Sequence, residues 1–200
     1  MKRERYSIIY SSKTGNTKKL AEAIYNTLPQ NKCDYYGTVD KIDDVLSNVI
    51  YIGFWTEKGN ADHLTIDFLN KLKEYNIDFC IVNGENAADG MGITEKNFKD
   101  ILLSGADCVT MGNHTWGKKE IFKFIDDPKI IRPANYPENV PGKGYRIYKT
   151  KSHNVCVVNL IGRTDMNVLS ENPFLKMQEI LKELKGRADI IMLDFHAEAT

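Results

Sequence analysis

Apolar runs of strand length alternate with segments of helical periodicity along this chain. YSIIY (6–10) precedes TKKLAEAIYNTL (17–28), where Leu20, Ile24 and Leu28 recur at the spacing of one helix face. CDYYG (33–37) leads through DKIDDVLS, read as a short helix, to VIYIGFW (49–55). HLTIDFLNKLKEY (63–75) repeats the helical signal with Leu64, Phe68 and Leu72. FCIVN (79–83), TEKNFKDILLS (94–104, with Thr94 as cap), CVTMG (108–112) and KKEIFKFI (118–125) continue the alternation. GYRIYKT (144–150) and HNVCVVNLIG (153–162) read as a hairpin, followed by a helix from about Pro173 to Lys185 and a last strand, ADIIMLDF (188–195). Near-continuous apolar strands between amphipathic helices predict an α/β fold, a layered and mostly parallel sheet with a β-hairpin in the C-terminal half. Only HAEAT follows the last strand, so the chain reads as truncated there. That bare edge is expected to promote self-association.

Composition narrows the classes. At 42% hydrophobic and 27% charged residues, the 200-residue chain can bury a full core. Lys+Arg and Asp+Glu are both 27, so no overall field favours nucleic acid or an anionic membrane. No apolar run approaches the ~20 residues of a membrane span, and MKRERYSIIYSS lacks the apolar core of a signal peptide; cytoplasmic placement is expected. The four cysteines form no CxxC and sit in or beside apolar runs, as buried thiols do.

Two constellations carry chemistry. The first, Ser12-Lys13-Thr14-Gly15-Asn16-Thr17, lies between the first strand and the first helix. Hydroxyls, a glycine and backbone N–H groups at a helix N-terminus suit a phosphate dianion. The same residues also serve as an ordinary helix cap, and the GK[ST] of a nucleotide P-loop is missing. YSSKTGNTKKLAEAI resembles the FMN phosphate loop of flavodoxins, [ST]-x-T-G-x-T, and IGFWTEKGNAD resembles the first flavin-ring loop of a short flavodoxin subgroup. The resemblance covers about residues 5–73. It implies a Rossmann/flavodoxin-like sheet, an FMN phosphate on Ser12, Lys13, Thr14, Gly15, Asn16 and Thr17, and a flavin ring stacked by Phe54 and Trp55. Beyond it FCIVNGENAADG replaces the strand and glycine-rich second ring loop of a flavodoxin. One wall of a flavin site is thus missing, which implies weak binding.

The second constellation is a series of strand ends: NGENAADG, GNHTW and DFHAEAT. Each places Asn, Glu or His at a strand C-terminus, on one edge of a parallel sheet. Carboxylate, amide and imidazole together suit Mn²⁺ or Fe²⁺, and a pair of such ions can clamp a phosphate and supply a hydroxide. The stretch from NIDFCIVNGENAADGMGIT through DCVTMGNHTWGKKEIFKFID and IIRPANYPENVPGKGY to ADIIMLDFHAEAT resembles the YmdB-like branch of the calcineurin-type metallophosphoesterases, over about residues 70–200. The resemblance implies that Glu85, Asn113 and His196 hold metal, that Asn86 is a further or nearby ligand, and that His114 is the general acid. Arg132 and Asn135 are expected to be structural, and His63, Lys118, Lys119 and His153 to be solvated surface.

Departures shape the functional expectation. Phe54 falls where the family's first strand carries a metal-binding aspartate, and the family's G-T-H-x-H loop lies beyond HAEAT. The chain is therefore expected to comprise a flavodoxin-like half, 1–73, joined within helix 63–75 to a metallophosphoesterase-like segment, 74–200, in one continuous sheet. Its expected activity is metal-dependent phosphodiester or phosphomonoester hydrolysis of a small phosphoester or nucleotide, impaired by the missing ligands. The alternatives are an FMN-binding electron carrier and an inactive chimera.

Overall fold

The computed structural model describes residues 5–54, 56–57, 60–72, 77–164 and 166–197. They divide into two units, Met1–Tyr75 and Asn76–Thr200. The join expected within helix 63–75 falls at residues 73–76, outside the described ones. Among the described residues no helix is long and apolar enough to cross a membrane.

In the first unit the central strand is β1 (Tyr6–Tyr10), whose β-branched and aromatic residues are buried along its whole length. β2 (Cys33–Thr38) and β3 (Val49–Gly53) pair with it in parallel, in the order β2-β1-β3. Strand alternation sends Tyr6, Ile8 and Tyr10 to one face, where they cluster with Ala21 of helix α1 (Asn16–Thr27). Ile9 points to the other face and packs with Val39, Val45 and the Phe68 and Leu72 of helix α2 (His63–Leu72). A short antiparallel ribbon, β4 (Thr56–Glu57) with β5 (Asn60–Ala61), precedes α2. Buried Asp62 starts that helix by accepting from the Thr65 N–H (3.3 Å) and hydroxyl (2.8 Å).

The second unit holds two three-stranded sheets. β6 (Ile81–Asn83), β7 (Cys108–Thr110) and β8 (Ile130–Ile131) are parallel in the order β6-β7-β8, with helix α3 (Glu95–Leu103) between the first two. β9 (Tyr145–Lys149) and β10 (Asn154–Ile161) form the expected antiparallel hairpin. Helix α4 (Pro173–Leu184) then returns the chain to β11 (Ile190–His196), which runs parallel to β10. Cys108, Ile131, Val155 and Val157 join the two sheets in one cluster, so β10 is buried from Val155 to Ile161. Both helices start on sequence-legible caps. Thr94 and Asn97 exchange bonds in a capping box, and Asn172 accepts from Phe174 N–H (2.9 Å) with Pro173 at the first helical position.

The α/β class thus holds, while several local expectations do not. Leu20 is 60% exposed, and the inward stripe of α1 is Ala21, Ile24, Tyr25 and Leu28, one position later than its start was read. Leu64 is likewise 41% exposed; Thr65, held by Asp62, takes the buried position beside it. DKIDDVLS forms only a 3-10 turn, Val39–Lys41. There the Asp44 carboxylate accepts from the Val45 N–H (2.8 Å), a local bond that competes with helix formation. KKEIFKFI also shortens to a 3-10 turn, Lys119–Lys123, bounded by extended Lys118 and by Phe124 at φ −138°. So short a segment gains too few bonds to propagate an α-helix. The two-residue β8 was not anticipated.

Candidate functional site

The loop 12–17 and residue 54 leave the same edge of the first unit's sheet, because β1 and β3 are parallel neighbours. Ser11 N–H donates to Gly53 O (2.8 Å), which ties the two strand ends together. Gly15 sits at φ +92°, where only glycine is unstrained, and turns the chain into α1. The Ser12 hydroxyl accepts from the N–H groups of Gly15 (3.1 Å) and Lys18 (3.3 Å). Lys13, Thr14 and Asn16 are exposed, whereas Thr17 is half-buried with its methyl against Gly53. Phe54 is half-buried just after β3; Trp55 lies outside the described residues.

The second unit builds a different site from three strand ends. Glu85, two residues past β6, is 1% exposed. Its backbone is fixed by the side chain of Asn83, whose Oδ1 accepts from Glu85 N–H at 3.1 Å. The Glu85 carboxylate lies against Gly112, and a Cβ there would overlap both its oxygens. Oε1 accepts from the backbone N–H of His114 (3.0 Å), and Oε2 pairs with His196 Nδ1 (2.9 Å). His114 Nδ1 lies 3.7 Å from the same carboxylate and 3.0 Å from Asn86 Oδ1. Glu85, Asn86, Asn113, His114 and His196 therefore converge, all of them from positions singled out in the sequence. Asn113 Oδ1 is buried without a hydrogen-bond partner, a costly state for an amide oxygen unless a ligand completes it.

Around this group lie residues that sequence reasoning missed. Asp194 accepts from Asn83 Nδ2 (2.9 Å), and burial pushes its carboxyl above the ordinary range, opposed by that bond. Tyr136 donates to Gly112 O (3.1 Å) and lies 3.3 Å from Asn113 O. Burial raises this phenol to about 12, so it stays a donor at neutral pH. Asp194 was detectable: two residues before His196 in one strand, it shares that residue's face. Tyr136 gave no local signal. Arg132 donates to the carbonyls of Pro133, Val140 and Pro141, and Asn135 bonds both Ile161 backbone groups, in keeping with structural roles.

Glu85, Asn113 and His196 offer the carboxylate, amide and imidazole donor types that a divalent ion of borderline character takes. Among the described residues, no group of three or more His, Cys, Asp or Glu is arranged to hold a metal, so amide oxygens would have to contribute.

Comparison with known proteins finds relatives of two kinds. The profile of the family described as YmdB-like protein matches residues 60–200. Over 154 residues, 76% of this chain and 58% of the relative, the chain is 52% identical to a 2′,3′-cyclic-nucleotide 2′-phosphodiesterase of Bacillus subtilis (strain 168). A solved structure of a novel phosphatase from Mycoplasma pneumoniae is similar with a TM-score of 0.60 at 27% identity, covering 72% of this chain and 52% of that one. A flavodoxin-like domain-containing protein BilS of Clostridium symbiosum (strain WAL-14163) is 35% identical over 116 residues, 52% of this chain and 60% of the relative. The chain spans between half and three fifths of the length of the curated relatives it matches.

Proposed function

This chain belongs to the YmdB-like protein family, and on that premise we propose that its second unit is a metal-dependent phosphoesterase acting on nucleotide phosphodiesters. One observation carries the reading: a nearly inaccessible carboxylate, Glu85, sits between two histidines and beside an amide oxygen that lacks a partner. A carboxylate so deeply buried is costly unless its oxygens are paired, and here both are. Glu85, Asn113 and His196 would hold one divalent ion, Mn²⁺ or Fe²⁺, with Asn86 beside it. When bound, such an ion polarises a phosphoryl oxygen and lowers the pKa of water.

The chain's own residues supply the rest. With Nδ1–H of His114 donated to Asn86 Oδ1, the imidazolium form has its Nε2–H left to hand to the leaving oxygen. Asn83 and Asp194 hold the backbone of the Glu85 loop, and Tyr136 holds the Gly112–Asn113 carbonyls. The expected activity is Mn²⁺-dependent hydrolysis of a 2′,3′-cyclic nucleotide, reduced about 10²–10⁴-fold by His114→Ala. No turnover above blank at saturating Mn²⁺ would sink the proposal.

A second reading concerns the first unit. The turn at Gly15, the hydroxyl-rich loop 12–17 and the similarity to BilS favour FMN on Ser12 to Thr17 with Phe54 and Trp55 against the ring. It predicts a yellow protein that quenches added FMN fluorescence; a colourless preparation indifferent to FMN rules it out. Failure of both tests is the outcome expected of an inactive chimera.

A further inference from the structure

A column of rings leads outward from the candidate site to solvent. It begins at buried Tyr136, whose hydroxyl contacts the Gly112 and Asn113 carbonyls. Trp116 follows, with ring centres 6.0 Å apart and planes at 35°. Phe122 is last, stacked on Trp116 at 5.3 Å with planes at 10°. Trp116 lies in the same 3-10 turn as Asn113 and His114, so the column is anchored to the residues assigned to metal and proton transfer.

Phe122 is the unexpected member. It is 57% exposed although a neighbour in its 3-10 turn, Ile121, is wholly buried. One ring face is covered by the Trp116 stack, which leaves the other as a flat apolar surface. Lys118, Lys119 and Lys123 flank it in sequence. An exposed flat ring, flanked in sequence by lysines and carried on the turn that follows the one holding His114, matches a nucleotide in both its parts, a base for the ring and a phosphate for the charge.

We infer that the Trp116–Phe122 stack is the nucleobase subsite of this active site and sets its preference for nucleotides over base-free phosphoesters. Phe122 is then a specificity-determining residue, and Trp116 positions it against the His114 turn. The inference rests on the nucleotide phosphodiesterase reading but is tested by binding, which needs no turnover.

The chain has two tryptophans, so Trp55→Phe isolates the fluorescence of Trp116. Adenosine 2′-monophosphate should quench it saturably, whereas ribose 5-phosphate, with no base to stack, should not. Phe122→Ala should raise the apparent Kd for the adenosine nucleotide about tenfold, and Phe122→Tyr, which keeps the ring, should restore it. Absence of saturable quenching, or equal affinity in the alanine variant, overturns the inference. A parallel assay on 2′,3′-cyclic AMP separates the two failures. Quenching without hydrolysis refutes the enzyme and keeps the subsite; hydrolysis with affinity indifferent to Phe122 does the reverse.

Discussion

The two units put polar residues at the ends of parallel strands in opposite ways. In the first, loop 12–17 stays at the surface, and its Ser12 hydroxyl bonds the backbone of its own turn. In the second, the Glu85 carboxylate is carried into the interior and compensated by contacts from two other strand ends. Desolvating a carboxylate costs several kcal/mol before compensation, so its position must be defended by many contacts. A surface loop needs no such defence. The second site therefore shows itself in packing and electrostatics, while the first is legible only as a motif.

Four experiments break or sharpen this contrast, from the largest expected effect to the smallest. Cys108 is buried with its thiol pushed up to about 12 by that burial, whereas Cys33 of the first unit is half-buried, its thiol also raised by burial. Alkylation requires thiolate, whose fraction grows tenfold per pH unit below the pKa. Both thiols should react faster as pH rises, with Cys108, which is buried, trailing half-buried Cys33 in the native protein. Mass spectrometry of iodoacetamide-treated protein measures this, and equal rates would mean that the second unit opens readily. Next, Glu85→Gln removes the charge on which both histidines converge. It should lower phosphodiester hydrolysis at least about a hundredfold, as loss of a single preorganised electrostatic partner does.

Two glycine substitutions compare the units directly. At Gly144 an added Cβ would overlap the Ala134 backbone, whereas at Gly15 it meets nothing within 4 Å and only the positive φ opposes it. Gly144→Ala should destabilise the second unit by about 1–3 kcal/mol or more through overpacking. Gly15→Ala should cost the first about 1 kcal/mol through backbone strain alone. Chemical denaturation followed by far-UV circular dichroism reads both, and a larger loss at Gly15 would reverse the comparison.

What was legible in the sequence follows the same physics. Most strands and the hairpin were readable because β1, β7, β10 and β11 lie in apolar or β-branched runs whose meaning depends little on context. Glu85, Asn113, His114 and His196 were readable because each stands at or just after the end of an apolar strand; the expected single sheet edge was wrong, since β6 and β7 lie in one sheet and β11 in another. Helix faces were harder. Leu20 and Leu64 satisfy the period, yet Ala21 and Thr65 are the inward residues, since the amphipathic stripe is wide enough to rotate by one position. Tyr136 lies more than 20 residues from the loop it supports, so no local pattern could have announced it.

Gly112 carries a consequence of another kind. The space a methyl group would fill at this position is taken by a carboxylate that begins 27 residues earlier in the chain. The two positions are therefore epistatic. Alanine at 112 is admissible only after Glu85 has become something shorter, and a lineage that takes that route has already surrendered the carboxylate. Return is then blocked until the glycine is restored. A double change such as Glu85→Ser with Gly112→Ala should be less destabilising than the sum of its parts. Position 112 thus acts as a ratchet on the history of the site.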